Sequence, residues 1–133
     1  MQIVIPIDIE SALADELAAR IPAASVSAAP APDNVEAGAV VVQALGGTRQ
    51  SAVSDLFDVV AYCYADTYGA AMAMGMDVCG QIRAIQLNGP LVAGVEWTTA
   101  SANAPYDDPD PDRMTLRRAT VRAVVAARGI PID

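Results

Sequence analysis

Gly38-Ala39-Val40-Val41-Val42-Gln43-Ala44-Leu45, then Gly46-Gly47-Thr48-Arg49-Gln50-Ser51-Ala52, then Val53-Ser54-Asp55-Leu56-Phe57-Asp58-Val59-Val60-Ala61-Tyr62-Cys63-Tyr64-Ala65-Asp66, form the stretch that decides the fold. It reads as two strands joined by a glycine-opened loop, the second strand running straight into a helix. Val40, Val41 and Val42 are β-branched and consecutive, which places the first arm in a sheet interior. The second arm puts Leu56, Val60, Tyr62 and Tyr64 on one face and Phe57, Val59, Ala61, Cys63 and Ala65 on the other. Apart from Asp58 both faces are largely apolar. A half-solvated strand alternates apolar with polar, so each side of this one is expected to be covered. The joining loop is expected to run from Gly46 to about Ser54. Its glycines follow neither a dinucleotide nor a P-loop spacing, which argues against a phosphate cradle.

Upstream, Asp8 is placed to cap a helix from Ile9 to about Ile21, ended by Pro22. Ile9, Leu13, Leu17 and Ile21 recur every fourth residue and form a narrow stripe that docks on the sheet. Residues 22–37 are rich in Ala, Pro and Ser and read as an extended connection along the sheet edge, where proline is tolerated. Downstream, Asp66 or Thr67 caps a second helix from Tyr68 to about Leu87. Ala71, Met74, Val78, Ile82 and Ile85 mark its core stripe. Met72, Met76 and Cys79 spread apolar surface over a second face, more than one sheet covers, and burial by a second copy would account for it. Gly69, Gly75 and Gly80 each cost about 1 kcal/mol against alanine in a helix interior, so close approach of another backbone is expected there.

Asn88-Gly89-Pro90 is a turn. Leu91 to Thr99 then alternates as a strand, with Leu91, Ala93, Val95 and Trp97 on one side; Trp97 suits a core rim or an interface. Met114 to Arg128 carries end signals compatible with a helix. Its sustained alternation decides for a strand, with Ala119, Val121, Ala123, Val125 and Ala127 on one face. The expected fold class is therefore α+β: one domain over 1–133, an antiparallel or mixed sheet of about four main strands, and two helices packed against it. The order is helix, strand, strand, helix, strand, strand.

Composition narrows function. The 133 residues contain no histidine and no lysine, which removes the usual general base and the commonest zinc ligand. Cys63 and Cys79 have no metal-pair spacing and read as reduced, buried small residues. No run of about eighteen apolar residues appears, and no basic start precedes an apolar core, so neither a membrane span nor a secretory leader is expected. The net charge of −8 disfavours binding to nucleic-acid phosphates. That charge is unevenly spread. Asp107, Asp108, Asp110 and Asp112 lie in a proline-punctuated loop just before Arg113, Arg117, Arg118, Arg122 and Arg128. The loop and strand are equally compatible with a head-to-tail interface between copies and with a solvated loop beside a wet strand face. Oxygen ligands of this kind suit calcium or magnesium, but no distal glutamate stands at EF-hand spacing. No serine or cysteine has a recognisable activating partner. Neither an enzyme nor a cofactor is expected.

The valine strand entering Gly46-Gly47-Thr48-Arg49, the Asp55-Leu56-Phe57-Asp58 strand start, the alanine-rich helix, and the acidic Pro/Asp turn before an arginine-bearing last strand together resemble the tail terminator proteins of long-tailed phages. The resemblance runs from Asp8 onward, leaving the apolar Met1 to Ile7 outside it. It implies a ring, typically of six copies, that caps the tail tube, stops its polymerisation and offers the head-joining surface. The implied partners are the chain itself, the tail tube protein and a head–tail connector, with DNA only passing through the bore. The implied location is the virion, after synthesis in the host cytoplasm. By the same analogy the 46–54 and 107–112 loops face neighbouring rings. With the charged and aromatic candidates, the expected interface residues are Gly46, Gly47, Thr48, Arg49, Trp97, Asp107, Asp108, Asp110, Asp112, Arg118 and Arg122. The competing readings are another neck or minor tail component, and a dimeric α+β module binding a small ligand.

Overall fold

A computed structural model describes residues 3–132. Its elements run β1 (Ile3–Ile5), α1 (Ile9–Arg20), β2 (Ser25–Ala28), β3 (Ala39–Arg49), β4 (Ser54–Ala65), α2 (Tyr68–Asn88), β5 (Trp97–Ala102), β6 (Tyr106–Asp107), β7 (Arg117–Arg128) and β8 (Ile130–Ile132). The fold is α+β, with two helices and a mixed sheet. The sheet is larger than the four strands the sequence suggests. Its order is β2-β3-β4-β7-β5, with β6 also on β7, and β1 and β8 form a separate two-stranded ribbon. The additional strands are two to four residues long, too short for alternation to register in sequence; β2 and β6 add to the edges of the longer β3 and β7, and β1 and β8 pair only with each other.

β3 and β4 pair antiparallel, and β4 pairs antiparallel with β7 along its whole length, from Ser54↔Arg128 to Ala65↔Arg117. Val40 and Val42 then stand beside Cys63 and Ala61, which stand beside Ala119 and Val121. This face is small and β-branched, so helices approach it closely. α1 lies over β2 and β3, and α2 over β4, β5 and β7. Leu13, Leu17, Val78 and Ile82 are fully buried between the layers. Burying side chains of that size contributes about 1.5–3 kcal/mol each. The last segment is the strand that its alternation predicts, with Ala119, Val121, Ala123, Val125 and Ala127 all turned into the core.

Local signals set the helix ends. Asp8 caps α1, its carboxylate accepting from the Ser11 amide at 3.2 Å. Thr67, rather than Asp66, caps α2 by accepting from the Ala70 amide at 3.1 Å. A Cβ at Gly75 would stand 2.6 Å from Pro105 Cβ, so the close neighbour expected at that glycine belongs to this chain. Gly69 and Gly80 face open space.

Three boundaries differ from the sequence reading. First, Gly46, Gly47, Thr48 and Arg49 are strand, not loop. β3 continues through a bulge between Ala44 and Gly46, where Gly46 adopts φ +146°, and only residues 50–53 turn. Second, the strand expected over Leu91 to Thr99 begins at Trp97. Leu91 and Val92 donate their amides to the Glu16 carboxylate instead of a ladder, at 2.9 and 3.1 Å. Third, within the 22–37 segment Ser25–Ala28 joins the sheet as an edge strand parallel to β3, and the residues after it bend and turn, with Ala29, Ala31 and Val35 packing over Val41 and Tyr64.

Candidate functional site

The expected cover over the second face of β4 exists at one end. Tyr64 and Val41 are buried there beneath Ala29, Ala31, Val35 and Leu116. The chain's own acidic loop fastens this cover. Asp110 is 6 % exposed and accepts hydrogen bonds from the Tyr64 hydroxyl at 2.9 Å, the Asp112 amide at 3.0 Å and the Arg113 guanidinium at 3.0 Å. Arg113 also donates to the Pro32 carbonyl at 3.3 Å, tying the two loops together. Arg118 donates to the Asp108 carbonyl, lies 3.2 Å from the Asp108 carboxylate, and sits 4.5 Å over the Tyr62 ring. Thr120 donates to the same carboxylate at 2.8 Å.

Electrostatics follow this geometry. Burial works against charge on Asp110, but the Asp112 amide, the Tyr64 hydroxyl and the Arg113 guanidinium outweigh it and hold the carboxyl below its ordinary value. Burial raises the Tyr64 phenol; Arg118 partly opposes that, and Asp110 adds to it. The acidic loop and basic strand thus satisfy one another within a single subunit. Asp107 pairs with Arg117 at 3.5 Å where both are exposed, and Asp112 keeps its side chain in solvent. No three His, Cys, Asp or Glu side chains among the described residues converge as a metal-holding group. Burial pushes the Cys63 thiol up to about 12.

The remaining interface candidates lie apart from that loop. Gly46 to Arg49 form the exposed outer end of β3, with the Gly47 backbone against the Phe57 ring. Arg49 donates to the carbonyls of Ser51 and Ala52 at 3.1 and 3.3 Å, which shapes the turn and leaves the cation facing solvent. Trp97 opens β5, half-buried against the core, and its indole N–H has no hydrogen-bond partner among the described residues. Arg122 is exposed on the open sheet face, in a groove of about 270 Å³ that it shares with Leu45, Asp58, Ser101 and Asn103. The structure therefore gathers Asp108, Asp110 and Arg118 into one cluster, and leaves the hairpin, Trp97 and Arg122 as separate features.

Two arrangements escape the sequence reading. Glu16 is 1 % exposed, pairs with Arg20 at 2.7 Å, and accepts from two amides of the loop after α2, while Arg20 donates to the Gly89 carbonyl at 2.7 Å. The i,i+4 spacing is its only signal. The second is the β1–β8 ribbon. Its register sets Ile3 beside Ile132 and Ile5 beside Ile130, so four isoleucines share one face, and each is 41–56 % exposed. The signal was there in Ile3-Val4-Ile5 and Ile130-Pro131-Ile132. Nothing in either triplet names the other as its partner. No helix among the described residues is long and apolar enough to cross a membrane. No protein-family model matches the chain, and no curated protein matches its sequence.

Proposed function

We propose that this protein is a non-catalytic structural subunit of a closed assembly, of the tail terminator type: a ring, typically of six copies, that caps a phage tail tube and offers a head-joining surface. The observation that carries the assembly reading is the isoleucine face of the ribbon. A two-stranded ribbon is marginal by itself in water, and a contiguous apolar patch on it is a feature of protein contact surfaces. Exposed Met76 and Leu87 on α2 add apolar surface away from the core. The terminator assignment within that reading rests on the sequence resemblance. Buried Asp110 and Glu16 support a structural role over a catalytic one, because each has its oxygens engaged by the chain's own donors.

Sedimentation velocity with negative-stain imaging tests the reading. A ring, and shortened or blunted tubes when the protein is added to polymerising tail tube protein, is the expected result. A chain that stays monomeric both alone and with tube protein refutes it. Tails assembled without the protein separate the finer alternatives. Overlong tubes fit a terminator, and tubes of normal length that fail to join heads fit another neck component.

A further inference from the structure

No further inference is drawn: the strongest candidate, the outward face of α2 on which exposed Met76 and Leu87 stand in line with Gly69, Ala73 and Gly80, is an apolar and small-residue surface, and nothing in the structure shows what covers it.

Discussion

The Tyr64 hydroxyl donates to the Asp110 carboxylate at 2.9 Å, joining a strand to a loop 46 residues away, with both side chains buried. Three donors converge on that one carboxylate, so the cover over the second sheet face depends on it. Asp110→Ala is expected to lower stability by about 3 kcal/mol, since it strands buried donors and a partly buried guanidinium. Tyr64→Phe loses one hydrogen bond and is expected to lower stability by about 1 kcal/mol. Urea denaturation of both variants checks the order. Equal effects would mean that the Tyr64 hydroxyl bond alone carries the contribution of Asp110, and negligible effects of both would mean that ring packing secures the loop.

The same carboxylate sets an acid limb. Its folded-state pKa lies below the ordinary aspartate value, so the native state gains stability from its ionisation. That contribution is fully present above the unfolded pKa and is lost as pH falls through the folded one. Stability is expected to drop below about pH 4, and Asp110→Asn to flatten that drop. For Tyr64 the sign reverses. Its pKa is raised, so its contribution holds below the ordinary phenol value and is lost as pH rises through the folded value. Denaturation midpoints measured across pH for the parent and both single variants read these limbs.

Thiol reactivity should report global opening. Cys63 and Cys79 are both buried, and burial raises Cys63 to about 12. Neither is expected to react with an alkylating reagent at neutral pH until the subunit unfolds: both are shielded from the reagent, and Cys63 is also held as the unreactive thiol. Mass spectrometry after timed exposure, with and without urea, measures this. Rapid modification of Cys63 in the native state would show that the sheet opens locally beneath α2.

Glu16 and Arg20 bind α1 to the loop that follows α2. Arg20→Ala leaves a buried carboxylate without its cation and is expected to cost about 3 kcal/mol. Glu16→Ala also frees the amides of Leu91 and Val92, so hydrogen exchange in residues 89–95 is expected to rise. Faster exchange elsewhere, with that loop unchanged, would assign the pair a different role.

Gly80 sits inside α2 with open space around it. Gly80→Ala is expected to stabilise the isolated subunit by about 1 kcal/mol from helix propensity alone, raising its melting temperature by about 3–5 °C. If the same variant assembles less well, the glycine serves a contact between copies. Unchanged assembly with higher stability would leave its presence without a packing reason.

Much of this architecture is legible in the chain itself, because its signals are local. Asp8 and Pro22 bound α1, Thr67 and Gly89 bound α2, and the alternation of Leu56 to Ala65 and of Ala119 to Ala127 sets which side of each strand meets the helices. Where the reading slips, a distant group has overridden a local signal. Leu91 and Val92 look like strand until the Glu16 carboxylate takes their amides, and Gly46-Gly47 look like a loop until β4 carries them on as a bulged strand.

The amino-acid order alone determined the two helices, the three long strands and the burial of a small-residue sheet face, since periods of 3.6 and 2 residues are written along the backbone. Only the tertiary structure decided that Asp110 is buried while Asp112 is wet, that the acidic loop is met by Arg113 and Arg118 of its own chain, and that isoleucines from both ends share one exposed face. Arg113 and Arg118 reach the acidic loop from close by in sequence, but the burial of Asp110 and the shared isoleucine face depend on residues that meet across 46 or more positions. Pairing at that range is fixed by packing and hydrogen bonding in three dimensions, and spacing along the chain carries no trace of it.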